Sequence, residues 1–179
     1  WVYNDQQSST TVWNLVTDNA QLAVNKQLFI TAANEDLALS TTQNKNNRGQ
    51  TTIAKNTEGK TATPSADTEI LTLVSGSVSG TYALKTSDGK YLFAAGSNSN
   101  NYLKSQTTIT PQASWAISVD TSGNASVVAQ GTNTNVNMRY NTSNNLFSCY
   151  KSGQQAISLY VATQQSVATH YTTDIRGLE

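Results

Sequence analysis

Along most of this chain apolar and polar residues alternate with the period of a β-strand, in short runs. The clearest case is Tyr82-Ala83-Leu84-Lys85-Thr86-Ser87-Asp88-Gly89-Lys90-Tyr91-Leu92-Phe93-Ala94-Ala95. Two strand-forming runs flank Ser-Asp-Gly, in which Asp hydrogen-bonds local backbone and Gly supplies the positive φ of a tight hairpin turn. From residue 27 onward the same reading predicts twelve strands, at 28–33, 37–40, 51–55, 70–74, 82–86, 91–95, 101–105, 114–119, 125–130, 136–140, 146–150 and 156–162. Clusters of Gly, Asn, Asp and Ser separate them. Ahead of these, 12–16 alternates loosely as one more strand, and Asp18 is placed to cap a short helical turn over 19–24.

The twelve strands fall into three groups of four, a repetition that bears on the fold before anything else does. The first group is longer through an insertion at 41–68, which holds Pro64 and many Asn and Thr residues and reads as a surface loop with one strand inside. The predicted class is all-β, β-trefoil-like with three four-strand repeats: six strands closing a barrel, three hairpins capping it. A two-sheet β-sandwich or another small β-barrel would use the same strands without the threefold symmetry. In the trefoil register Ile30, Leu84 and Val128 are strand centres of the first hairpins. Leu37 with Leu39, Tyr91 with Phe93, and Val136 with Met138 are the second-strand pairs. Leu71 with Leu73, Trp115 with Ile117, and Ile157 with Leu159 face one side of the closing strands. The chain divides into an N-terminal arm with a first strand and turn (1–26), the all-β domain (27–162) and a C-terminal linker (163–179). The final Leu178-Glu179 is what an affinity-tag vector leaves behind.

Composition narrows the function. Charged residues make up 12% of the chain and cancel to a formal net charge of +0, where a typical domain carries about 25%. Neutral Ser, Thr, Asn and Gln take over the solvated positions, while the β-branched and aromatic runs argue against disorder. Phosphate-directed nucleic-acid binding wants a basic stripe, and none is present. The densest basic run, Lys45, Arg48, Lys55 and Lys60, sits beside Glu58 in the insertion and reads as a solvated loop. No run of eighteen apolar residues exists to span a membrane.

Catalytic constellations are equally scarce. Cys149 and His170 are alone in their classes, so a zinc site lacks ligands, and the acidic residues are too scattered for calcium. A Cys149–His170–Asp174 triad would need a strand thiol to meet a polar tail. Asp67, Glu69, Asp88 and Asp120, the carboxylates available for glycoside hydrolysis, lie at turns or loop edges with no favoured pairing. The expectation is a protein without enzymatic activity, cofactor or metal.

Recognition chemistry remains. Strand tyrosines next to Asn-rich turns suit a sugar, because the ring stacks on C–H groups and amides match hydroxyls. Most such residues are core aromatics and turn formers first. The candidate ligand-binding set is Tyr102, Asn101, Asn98, Tyr91, Tyr140, Asn144 and Arg48, with Tyr102 foremost because it follows the polar loop 96–101.

Four stretches also resemble accessory domains of secreted, multidomain Bacteroidetes proteins. They are Leu37-Ala38-Leu39-Ser40-Thr41-Thr42-Gln43-Asn44-Lys45-Asn46-Asn47-Arg48-Gly49-Gln50, Asn101-Tyr102-Leu103-Lys104, Met138-Arg139-Tyr140-Asn141, and Leu146-Phe147-Ser148-Cys149-Tyr150-Lys151-Ser152-Gly153-Gln154-Gln155. The resemblance covers roughly 12–162. It implies an extracytoplasmic setting (secreted, periplasmic or cell surface) and a module appended to other regions, nuclease, phosphatase or adhesion regions among them. It carries over no catalytic residue. If Arg48 and Gln50 function in that family, this chain retains both. The resulting expectation is a non-catalytic accessory module binding carbohydrate or a cell-surface polymer, with neighbouring domains as partners, and with no nucleic acid and no membrane insertion. The alternative is a structural or protein-interaction domain that docks or spaces its neighbours.

Overall fold

A computed structural model of the chain describes residues 8–96 and 99–167. Among these residues the strands are β1 (Ser8–Leu15), β2 (Gln27–Ala32), β3 (Leu37–Gln43), β4 (Arg48–Thr52), β5 (Ala54–Lys55), β6 (Thr61–Thr63), β7 (Leu71–Ser75), β8 (Tyr82–Lys85), β9 (Tyr91–Phe93), β10 (Lys104–Gln106), β11 (Trp115–Val119), β12 (Ala125–Ala129), β13 (Asn137–Asn141), β14 (Leu146–Tyr150) and β15 (Ile157–Val167). Six of them close a ring of antiparallel pairs, β2 to β7, β8, β11, β12, β15 and back to β2. Three hairpins, β3–β4, β9–β10 and β13–β14, cap it. The fold is a β-trefoil, because the closed ring excludes an open sandwich. Gly89 takes the positive φ read for it, +82, in the β8–β9 turn, whereas Asp88 accepts the Thr86 hydroxyl at 2.6 Å and that hydroxyl bonds the Lys90 backbone.

The closing strands turn Leu71, Leu73, Trp115, Ile157 and Leu159 into the barrel, each no more than 1% exposed. Trp115 is the largest side chain there, and its indole N–H donates to Leu92 O at 3.1 Å. A ring of that kind buries on the order of 200 Å², which contributes about 5 kcal/mol as an upper bound. Two registers differ from the sequence reading by one residue. Val127 is the inward residue of β12, 1% exposed, and Val128 faces outward. In β9 it is Leu92 that is buried, at 0%, while Tyr91 and Phe93 turn to the opposite, partly exposed face. A slip of one residue swaps the faces of a strand, so runs apolar on both sides leave register to tertiary pairing.

The insertion departs most from expectation. Instead of a surface loop it extends β3 to Gln43, supplies all of β4, and adds the β5–β6 hairpin. Strand β6 pairs with β1, which pairs with β15, so a side sheet wraps one flank of the barrel. Beneath it a second core forms from Phe29, Ala38, Ile53, Ala62 and Tyr160, with Trp13, Leu15 and Ile70 against it. Phe29 meets Trp13 edge-on at 5.2 Å and stacks on Tyr160 at 5.4 Å. Strand β2 is therefore covered on both faces, which explains its continuous apolar run.

The basic run is likewise not a solvated loop. Lys45 and Lys60 are exposed, but Lys55 is half-buried and donates to the carbonyls of Ala32, Ala33 and Glu35 at 3.0, 3.2 and 2.6 Å. Burial lowers its pKa, against the opposing pull of Asp36 and Glu35. Arg48, 4% exposed, is ion-paired to Glu69, 2% exposed. The helical turn is a 3-10 turn, Asn19–Gln21, with Asp18 as N-cap and Gln21 closing a capping box. At the chain's far end β15 passes residue 162 and continues to Val167. There it forms a two-stranded ribbon with β1, in which Ser8 lies opposite Val167.

Candidate functional site

The outward face of the β9–β10 hairpin gathers the chemistry. Tyr91 lies opposite Gln106, Phe93 opposite Lys104, and Lys85 of β8 opposite Tyr91. Directly opposed residues of antiparallel strands share a face, so Lys85, Tyr91, Phe93, Lys104 and Gln106 project together. Tyr102 joins them through Lys104, whose ammonium sits 5.4 Å from the Tyr102 ring centroid. Tyr91, Phe93, Tyr102 and Lys104 are partly exposed, while Lys85 and Asn101 are exposed. The Gln106 amide is already committed, donating to Thr108 O at 2.9 Å and Thr110 Oγ1 at 2.8 Å.

The segment carrying Asn101 and Tyr102 is held by the neighbouring repeats. Leu103, fully buried, donates its N–H to Asn46 O at 2.9 Å, and the Gln43 amide donates to Leu103 O at 3.3 Å. The Asn47 amide nitrogen donates to the Asn46 and Asn101 carbonyls at 3.0 and 2.9 Å and to the Ser148 hydroxyl. The Asn135 amide donates to Asn100 O at 3.1 Å. Gly96 permits the return of this segment, since a Cβ there would lie 2.1 Å from Asn100 O. A side chain on a clamped backbone loses little freedom when it binds a ligand.

The tyrosine hydroxyls separate site from scaffold. Tyr82 donates to Leu22 O at 3.3 Å, Tyr140 to Gln50 Oε1, and Tyr160 to Gly59 O at 2.6 Å, while Tyr150 accepts from the Asn141 amide at 2.8 Å. Burial raises the pKa of Tyr140, Tyr150 and Tyr160, the last to about 12. Among the described residues no hydrogen-bond partner meets the hydroxyls of Tyr91 and Tyr102, and both stand on this one hairpin face.

Of the expected ligand set, Tyr91 and Tyr102 are brought to this face, and Asn101 is exposed next to Tyr102 in the chain. Asn98 lies outside the described residues. Tyr140, 1% exposed, is packed on Phe147 at 5.0 Å and is not a surface aromatic. Arg48 is buried against Glu69, whose other carboxylate oxygen accepts Ser87 N–H at 2.8 Å. Asn144 is exposed at the β13–β14 turn, where its N–H donates to Asn141 Oδ1 at 3.0 Å. Phe93, Lys85 and Lys104 belong to the face but escaped the sequence reading. The Tyr91-x-Phe93 and Lys104-x-Gln106 spacings were the available signal, and they become legible only with the register known.

Elsewhere the chemistry is structural. A cavity of about 530 Å³ is lined by Asn14, Leu15, Gln21, Lys60, Thr121 and Thr163 among others. Most of its polar groups already have partners: Asn14 donates to Thr163 at 2.8 Å, Gln21 Oε1 accepts the Thr17 and Asp18 amides, and Lys60 pairs with Glu58 at 2.7 Å. Cys149 is fully buried and burial pushes its thiol pKa up, which removes the thiolate a nucleophile needs. His170 and Asp174 lie outside the described residues. Hydrogen bonds from Thr86 and Lys90 hold the Asp88 carboxyl at about 2, and the Asn124 amide keeps that of Asp120 low. A glycosidase general acid needs the reverse shift. Among the described residues no three His, Cys, Asp or Glu side chains cluster as a metal site, and no helix is long and apolar enough to cross a membrane.

No protein-family model matches the sequence, and no curated protein matches it either. Solved structures do. The BEL β-trefoil superposes with a TM-score of 0.59 at 14% identity, over 82% of this chain and 99% of its own. The designed threefold-symmetric protein ThreeFoil gives 0.54 at 14% identity, over 74% and 96%. A GlcNAcα1-4Gal-releasing endo-β-galactosidase from Clostridium perfringens gives 0.55 at 14% identity over 76% of this chain, which spans 32% of that enzyme. At this identity the likeness is one of fold.

Proposed function

We propose that this chain is a non-catalytic carbohydrate-binding module that takes a glycan or cell-surface polymer on the outward face of β9–β10. One observation carries the reading: of the six described tyrosines, the two whose hydroxyls meet no partner among the described residues stand together there, on a backbone clamped by the other two repeats. Tyr102 and Tyr91 offer ring surface to sugar C–H groups, their hydroxyls and the Asn101 amide match sugar hydroxyls, and Phe93 extends the apolar floor. As an accessory unit of a secreted or cell-surface bacterial protein of the Bacteroidetes kind, it would hold its neighbours against a polymer.

A glycan array probed with the native chain and with Tyr102→Ala tests this. Binding by the native chain that falls about tenfold or more in the variant, near 1.4 kcal/mol, is expected. Silence across the array, with the protein folded, sinks the reading. A second reading, a module that docks or spaces neighbouring domains, draws on the β1–β15 ribbon, whose outer residues 8–11 and 163–167 are exposed. It predicts a partner contact that Tyr102→Ala leaves unchanged.

A further inference from the structure

Three features were candidates for a further role. The 530 Å³ cavity is lined by polar groups most of which already have partners. The ribbon has exposed edges but nothing that marks an occupant. The charge on the β9–β10 face is different, because it has a sign and no internal counterpart. Among the described residues the ion pairs are Arg48–Glu69, Lys60–Glu58 and Lys90–Asp88. Lys85 and Lys104 belong to none of them, and each lies directly opposite an aromatic residue of the face, Tyr91 and Phe93 respectively.

The acidic groups nearest in the chain are otherwise engaged. Asp88 is bound by Lys90 at 2.9 Å and by the Thr86 hydroxyl, and Glu69 is buried under Arg48. The hairpin strands contribute no carboxylate, so the face holds two ammonium groups with no ion-pair partner among the described residues, set among three aromatic rings. In a chain with formal net charge +0 this is a local asymmetry rather than a general one. Lys104 is also directed: its ammonium lies over one face of the Tyr102 ring, 5.4 Å from the centroid, which leaves the other face for a sugar and puts the charge at that ring.

We propose that the saccharide taken by this face is anionic, a polymer bearing uronate carboxylates or sulfate esters. Its acid group meets Lys104 and Lys85 while the pyranose rests on Tyr102, Tyr91 and Phe93. The inference rests on the carbohydrate reading above and narrows its substrate class. The two lysines supply charge complementarity and the rings supply stacking, so a neutral sugar would leave the ammonium groups without a counter-charge.

Titration calorimetry with polygalacturonate, dextran sulfate and uncharged dextran, at low and at high salt, tests the idea. One or both acidic polymers should bind, with affinity falling as salt rises, and dextran should not. Which acidic polymer binds tells carboxylate from sulfate. Lys104→Gln and Lys85→Gln, both at solvent-accessible positions, should each weaken binding by about tenfold, with Lys104→Arg retaining most of it. Circular dichroism melts check that both Gln variants stay folded. Salt-independent binding of dextran or of another uncharged glycan, equal to that of the acids, overturns the anionic inference and leaves the carbohydrate reading standing. Acidic-polymer binding indifferent to both Gln variants places it elsewhere and overturns the inference as well. Tighter binding of a single-stranded oligonucleotide than of either acid overturns it in favour of nucleic acid. Failure of every glycan removes both readings together.

Discussion

Hairpins β9–β10 and β13–β14 occupy equivalent places in the second and third repeats, yet they use their aromatic residues in opposite ways. In β13–β14 the rings of Tyr140 and Phe147 point inward. Tyr140 and Phe147 pack against each other in the core at a tilt, and Tyr150 and Tyr140 tie their hydroxyls to Asn141 and Gln50. In β9–β10 the buried residue is Leu92, and Tyr91 and Phe93 stand on the outer face with Tyr102 and Lys104. The same backbone framework therefore supplies one hairpin that closes the core and another that presents a surface. Threefold symmetry of strands does not imply threefold symmetry of function, because alternation lets each repeat choose which face bears its rings.

The largest test strikes the closed side. Arg48 pairs with Glu69 in the interior while its strand meets Phe147 of β14, and Glu69 also accepts Ser87 N–H, so one ion pair links all three repeats. Arg48→Met or Glu69→Gln should each cost about 3–5 kcal/mol in urea unfolding, because an unpaired charge or unmet donor stays buried. The double variant with both charges removed should recover much of that loss. If each single variant melts like the native chain, the pair does not hold the repeats.

Next in size, Tyr140→Phe should lose about 0.5–1.5 kcal/mol by removing the part-buried hydrogen bond to Gln50 Oε1, with glycan affinity unchanged. Tyr102→Phe and Tyr91→Phe should do the converse, weakening ligand binding while unfolding stays within about 0.5 kcal/mol of native. Paired melts and titrations separate the two classes. Equal behaviour of all three variants would erase the contrast between the hairpins.

A third test leaves every ring in place. In Gly96→Ala the new Cβ would collide with Asn100 O, so the segment bearing Asn101 and Tyr102 must shift. Binding should fall by about tenfold, with most of the amide protection in the barrel strands retained by hydrogen exchange.

The smallest effect is a pH dependence at the β8–β9 turn. The Asp88 carboxyl is held at about 2, below an ordinary Asp near 3.9, so the folded state favours its ionised form. That contribution is complete above the unfolded value and is lost as pH falls through about 2. Because the group is largely exposed the loss should be slight, visible in the Gly89 and Lys90 amide shifts rather than in the melting temperature. A midpoint near 4 in those shifts would mean that Thr86 and Lys90 do not hold it.

The repeats were legible because turn chemistry is local: Asp88-Gly89 and Ser122-Gly123 mark turns with no help from the rest of the molecule. Register was legible where a strand alternates cleanly, as in Leu71-x-Leu73 and Ile157-x-Leu159. It failed where neighbours are apolar too, as at Val127 beside Val128 and at Leu92 between Tyr91 and Phe93. The burial of Arg48 had no local signal, since Glu69 lies 21 residues away and Phe147 comes from another repeat. The site was half visible for the same reason. Tyr91, Tyr102 and Asn101 could be nominated by residue type, whereas Lys85, Phe93 and Lys104 join them only through pairing, and Tyr140 leaves them once its face is known.

The β1–β15 ribbon has a mechanical consequence. Ser8 and Val167 sit directly opposite one another, so tension applied between them loads the strand pairs in series, one after the next, in the manner of a zip. Such peeling yields at low force, releasing about 3.4 Å of contour per residue, while the barrel and the β9–β10 hairpin stay folded. A module tethered through this ribbon would give way by stretching before it let go of its ligand. An optical trap pulling at residues 8 and 167 should record that early, reversible extension ahead of a single cooperative rip.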